Sequence, residues 1–194
     1  MSDIKKAYNE IIDFLENENE KTLLLRGIAD KEKHQVLLKA LNNQGNMKGL
    51  VNLIHTAKDG MENFFRWAEL YKVKVPKKYG EGMKLSNITI FFDNLTTKKN
   101  GEKYDNYAFD FMIIWPIQSV TKNTKEIEML KDMAGRQKTR KIIYLTLKEP
   151  WYNPDSLELI SDRVIKLDCE NDDPEEYKRI MTEYEVDMKR RKYY

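Results

Sequence analysis

Thr22-Leu-Leu-Leu-Arg-Gly-Ile-Ala-Asp-Lys-Glu-Lys-His34 passes from a leucine run through a glycine into a charged segment. A short, continuous apolar run is the pattern of a strand buried on both faces, as in a parallel sheet. Gly27 reads as a turn. Residues 30–41 read as a helix with Val36, Leu37, Ala40 and Leu41 inward. The same alternation extends outward from this unit. Residues 50–55 (LVNLIH), 87–92 (NITIFF), 109–115 (FDFMIIW), 141–147 (KIIYLTL) and 163–167 (RVIKL) read as further strands. Between them, residues 59–71 and 124–137 carry apolar side chains at helical spacing: Met61, Phe64, Phe65, Ala68 and Tyr71, then Ile127, Leu130, Met133 and Ala134. Residues 73–82, with Pro76, Gly80 and Gly82, read as loop, and residues 96–106 as a polar loop or hairpin. Strands alternating with helices predict an α/β fold: a mostly parallel sheet, right-handed crossovers and helices on both faces.

Two helices flank this domain, which is expected to span residues 21–170. In residues 1–20, Ile4, Ala7, Tyr8, Ile11, Ile12 and Leu15 share one face. In residues 171–194, Pro174 opens a helix along which Tyr177, Met181, Tyr184 and Met188 form a stripe. Acidic residues at its start and basic residues at its end suit the helix dipole.

Composition narrows the function. The 194 residues carry 34 Lys+Arg and 32 Asp+Glu, a net charge of +2, which is too balanced for a protein that coats nucleic acid. A mean hydropathy of −0.72 and the absence of apolar runs near 20 residues argue against a membrane span. The N-terminus lacks the pattern of a secretory leader, and a cytoplasmic location is expected. One cysteine and two histidines disfavour a disulfide framework or a structural zinc site, and no metal or cofactor is expected.

The strand–turn–helix at residues 22–34 sits where a triphosphate cradle would. Such a cradle reads G-x-x-x-x-G-K-[ST], with glycines opening backbone amides to phosphate, a lysine neutralising charge and a hydroxyl on magnesium. Gly27 and Lys33 keep the spacing, whereas Glu32 replaces the second glycine and His34 the hydroxyl residue. Glu32 brings negative charge and ordinary helical geometry, and His34 is no substitute for a hard oxygen ligand. The strand 109–115 ends in Trp115-Pro116, where a magnesium-binding aspartate would stand.

Together with the order helix, strand, irregular loop and Ile160-Ser-Asp-Arg-Val-Ile-Lys-Leu167, these segments resemble the RecA-like ATPase superfamily. The likeness is to the branch containing the circadian clock ATPase and its archaeal relatives. It covers residues 20–168 and implies a three-layer RecA-like fold that has lost its nucleotide site. The implied role is non-catalytic: a regulatory or structural subunit whose partner is an active ATPase relative or a second copy of itself.

Other residues carry weaker signals. Asp59 reads as a helix-start residue, Asp93 as a turn former, and His55 as an ordinary strand-end histidine. Cys169 lies in an acidic stretch that raises its pKa. Lys72 and Lys74, with Tyr71 and Tyr79 nearby, and the cluster Arg136, Lys138, Arg140 and Lys141 are candidate contacts for single-stranded nucleic acid. Trp151 and Tyr152, between two prolines, join the stripe of Tyr177, Met181, Tyr184 and Met188 as a candidate protein interface. A nucleotide-binding protein without hydrolysis is the remaining alternative.

Overall fold

The leucine run does form a strand, β1 (Thr22–Arg26), and it lies inside a seven-stranded sheet, next to one edge strand. In a computed structural model, residues 2–54, 59–94, 107–120, 124–136, 138–147, 149 and 151–191 are described. Around β1 stand β2 (Lys48–Leu53), β3 (Gly82–Leu85), β4 (Ile88–Asn94), β5 (Phe111–Trp115), β6 (Lys141–Leu145) and β7 (Arg163–Lys166). Their order is β3-β4-β2-β5-β6-β1-β7. Every neighbouring pair is parallel except β3–β4. β1 is thus flanked by β6 and β7, with Leu24 level with Tyr144 on one side and Val164 on the other.

Alternate residues of each strand face opposite layers. Leu23, Leu25, Val51, Leu53, Ile113, Trp115, Ile143 and Leu145 face one core. It is covered by α1 (Asp3–Glu16), α2 (Asp30–Asn43) and α3 (Gly60–Trp67). Leu24, Leu50, Met112, Ile114, Ile142 and Tyr144 face the other core, covered by α4 (Thr124–Arg136) and Leu157 of the short α5 (Asp155–Glu158). The architecture is the expected three-layer α/β fold, a mostly parallel sheet with helices on both faces. The last helix, α6 (Pro174–Arg191), stands near the carboxyl ends of β1 and β7, where Tyr177 and Met181 share a cavity with Arg26 and Lys166.

Local chemistry moves several boundaries. Residues 82–85, expected as the end of a loop and its sequel, form the antiparallel edge strand β3. Gly82 lies close under the Phe91 ring of β4, where a Cβ would stand 2.7 Å from the ring and displace it. Helix α3 stops at Trp67 rather than continuing to residue 71, since Glu69 takes φ +60°. Tyr71, expected on the inward face, is 71% exposed. His55 and residues 96–106 lie outside the described residues.

Helix α1 buries Ala7, Ile11, Phe14 and Leu15 in the first core, against α2 and β7. Carbonyls of α1 and of the turn that follows it meet cations from the strand starts. Arg140 Nη2 donates to Leu15 O at 2.8 Å, Arg163 Nη1 donates to Glu10 O at 2.8 Å, and Lys141 Nζ donates to the carbonyls of Asn17 and Glu20. Cations suit the negative end of a helix dipole.

Candidate functional site

In an open parallel sheet, ligands bind outside the carboxyl ends of the strands. The loop joining β1 to α2 stands there, and three residues, Gly27, Ile28 and Ala29, make it up. Gly27 has φ +114°, and a Cβ at this position would lie 2.2 Å from Leu167 O. Only glycine fits both the backbone angle and the approach of the chain that follows β7.

A phosphate cradle needs free amides, and here the chain's own acceptors take all three. Gly27 N donates to Glu149 Oε1 at 2.9 Å, Ile28 N to Asp168 Oδ1 at 3.0 Å, and Ala29 N to Leu167 O at 3.2 Å. Glu149 is 4% exposed. It also accepts from Thr146 Oγ1 at 2.7 Å and pairs with Arg26 Nε at 3.4 Å. Arg26 reaches on to Asp155, 3.0 Å away, and to Glu158.

Two internal carboxylates therefore stand on the loop amides. Neither was picked out from the sequence, although the strand order supplies a signal. β6 and β7 flank β1, so residues just past their ends must border the β1–α2 loop. Glu149 and Asp168 are those residues.

Helix α2 begins at Asp30, three residues ahead of the lysine, as an acidic residue at position 32 favours. This start decides where Lys33, Glu32 and His34 go. Lys33 is fully buried, with Nζ donating to Gly27 O and, at 2.8 Å, to Thr146 Oγ1, and pairing with Asp30 at 3.0 Å. Glu32 is half-buried and pairs with Lys31 at 3.2 Å.

His34 does not face the loop at all. It enters an aromatic cluster, with ring centroids 5.5 Å from Phe64, 5.7 Å from Trp115 and 6.4 Å from Trp67. Nδ1 donates to Asp30 O at 2.6 Å, and Nε2 is buried with no hydrogen-bond partner among the described residues. Burial, aided by the nearby Lys33 charge, drives the His34 pKa down to about 3.

The carboxyl end of β5 is apolar. β5 is buried throughout and ends in Trp115, 2% exposed. Among the described residues no cluster of three His, Cys, Asp or Glu could hold a metal ion. Asp59 is the exposed N-cap residue of α3 and makes no side-chain capping bond. Asp93 ends β4 with Asn94, its Oδ1 accepting from Asn94 N at 2.8 Å. Cys169 is buried, with its pKa pushed up to about 12 by burial and then by surrounding carboxylates.

The basic candidates separate. Lys141 is 1% exposed and its ammonium lies over the Phe14 ring, so the expectation of a surface contact there is corrected: it caps α1. Arg140 is exposed but its guanidinium is committed to Leu15 O. Lys138 is exposed, and Arg136 ends α4. Lys72 and Lys74 are exposed and alternate with Val73 and Val75, which pack on the first core. These lysines precede edge strand β3, whereas Lys138 precedes β6, four strands away across the sheet.

The aromatic candidates meet within the chain. Trp151 Nε1 donates to Asp187 at 2.9 Å, and its ring meets that of Tyr184 edge-on at 5.9 Å. Tyr152, Tyr177, Met181 and Tyr184 line one cavity of about 330 Å³ with Arg26 and Glu149. Met188 is 37% exposed. A second cavity, of about 430 Å³, lies between α6 and the start of α2, lined by Ala29, Glu32, Trp67, Trp151, Cys169 and Ile180 among others.

No protein-family model and no curated protein matches the chain. Solved structures do. The large terminase of a thermophilic bacteriophage aligns at 7% identity over 84% of this chain and 45% of its own, with a TM-score of 0.48. The same terminase in complex with ADP aligns at 10% identity over 84% and 44%, with a TM-score of 0.47. Domain III of the Thermotoga maritima replication initiation protein DnaA aligns at 12% identity over 94% and 70%, with a TM-score of 0.46. The chain thus spans under half of the terminase. No helix among the described residues is long and apolar enough to cross a membrane.

Proposed function

We propose that this chain is a RecA-like domain whose nucleotide site has been filled from within. In this reading it acts without catalysis, through protein contact, as a regulatory or structural subunit. The observation that carries the reading is the pair of carboxylates on the loop amides of Gly27 and Ile28. A phosphate there would have to displace Glu149, which also holds Thr146 and Arg26, and would meet the negative charge of Asp168. Lys33, the residue that would neutralise phosphate, is turned back onto Gly27 and Asp30.

Partners fitting this role are an active ATPase relative or a second copy. Calorimetry and a thermal-shift titration with Mg-ATP, Mg-ADP and pyrophosphate test the filled site, with no heat and no stabilisation expected. ATP turnover abolished by Lys33→Ala overturns the reading. Sedimentation of the purified chain over a concentration series tests self-association.

A second reading has its own support. Tyr71 and Tyr79 are 71% and 38% exposed and border Lys72, Lys74, Lys77 and Lys78. Exposed rings interleaved with cations can stack bases and neutralise phosphates. Retention on single-stranded DNA that falls steeply with salt and is lost in Lys72→Glu/Lys74→Glu supports it. Equal retention of the variant removes it.

A further inference from the structure

Helix α6 has 18 residues, and among those whose side chains are described none is buried. Tyr177, Ile180, Met181, Tyr184 and Asp187 are half-buried and face inward at helical spacing, and the first four line cavities of about 430 and 330 Å³. The helix is equipped to persist without the domain. Asp173 Oδ1 caps it by accepting from Glu176 N at 3.0 Å. Glu175 and Glu176 occupy the first turn, and Arg179 bridges Glu176 and Glu183.

Its two ends are held differently. Before the helix, Asn171 N and Nδ2 donate to Asp3 at 2.9 and 2.8 Å, and Ile4 N donates to Asp172 at 3.0 Å, tying this turn to the start of α1. The turn itself is tight: Cys169 takes φ +58°, and Asp173 N donates to Cys169 O at 2.8 Å. Toward the far end, Asp187 and Tyr184 meet Trp151, which follows β6.

We propose that α6 is a hinged lid. It remains helical, pivots on the turn at residues 169–173 and is latched by Trp151, so that release opens the 430 Å³ cavity over the β1–α2 loop. Opening presents the aromatic underside of the helix and the cavity wall together. An element with little buried area is drawn from the low-stability end of a fold. The lid stands independently of the proposed role, since it concerns access to the cavity and not what enters it.

Thiol labelling tests it on the full-length chain. Cys169, the one cysteine of the sequence, lines the cavity from the domain side, and Ile180→Cys in a Cys169→Ser background reports from the helix side. Both thiols are expected to label faster than global unfolding permits. Trp151→Ala is expected to raise both rates together, roughly tenfold for loss of one hydrogen bond and ring contact, and Asp187→Ala, which removes the hydrogen-bond acceptor alone, to raise both together by roughly threefold. Amide exchange of β1 and β6 should stay unchanged. Labelling of either thiol at the global unfolding rate, or no acceleration in the latch variants, overturns the lid.

Discussion

Acidification should weaken this fold in part through His34, by an amount that can be read on its own. In the folded chain its imidazole is 1% exposed, with Phe64, Trp67 and Trp115 packed around the ring and its pKa driven to about 3. Unfolding returns it to the ordinary value of 6.5. The folded pKa is depressed, so the unfolded chain takes up the proton first as pH falls. The His34 contribution is intact above pH 6.5 and is lost progressively from there to about 3. Proton binding to the unfolded chain alone costs RT ln(1 + 10^(6.5−pH)), about 0.2 kcal/mol at pH 7 and about 2 kcal/mol at pH 5. The drop between those pH values is therefore about 2 kcal/mol, and it is insensitive to the folded value so long as that stays well below 5. Urea denaturation of the wild type and His34→Gln at pH 7, 6 and 5 isolates the effect, since other titrating groups are common to both. The wild type should lose about 2 kcal/mol more than the variant over this interval. Parallel pH profiles for the two proteins would refute a buried neutral imidazole.

Gly27→Ala should cost about 3 kcal/mol or prevent folding, because the new Cβ meets backbone at Leu167 and φ +114° is unfavourable; thermal denaturation checks it. Glu149→Ala strands the Gly27 amide, the Thr146 hydroxyl and Arg26, and should cost about 2–4 kcal/mol by urea denaturation, with Glu149→Gln milder. If carboxylates are what exclude phosphate, Glu149→Gln/Asp168→Asn should bind pyrophosphate more tightly than wild type by calorimetry. Lys141→Met should cost about 1–3 kcal/mol while leaving retention on single-stranded DNA unchanged, since this ammonium caps α1.

The strands were legible where burial made them continuous. β1, β5 and β6 have no exposed face, and so their apolar runs stand out against a chain that is 34% charged. β3 was not legible, because its four residues acquire strand geometry only by pairing with β4. The end of α3 was obscured in the same way: Tyr71 keeps the apolar spacing, but Glu69 has already turned the chain. Lys141 reads as a surface cation in any list of charges, and it becomes a buried cap only because α1 ends beside the start of β6.

The β1–α2 loop shows the same division. In the proposed reading Glu32 and His34 stand where a nucleotide-binding loop has a glycine and a hydroxyl residue, and order along the chain fixes those positions. Which groups take the β1–α2 loop amides depends on strand order, since Glu149 and Asp168 lie 122 and 140 residues from the amides they accept from. Local residue types determine backbone conformation and which faces are apolar. Partners for buried polar groups are chosen by whichever strands pack alongside, and pairing across such distances leaves no local mark in the sequence.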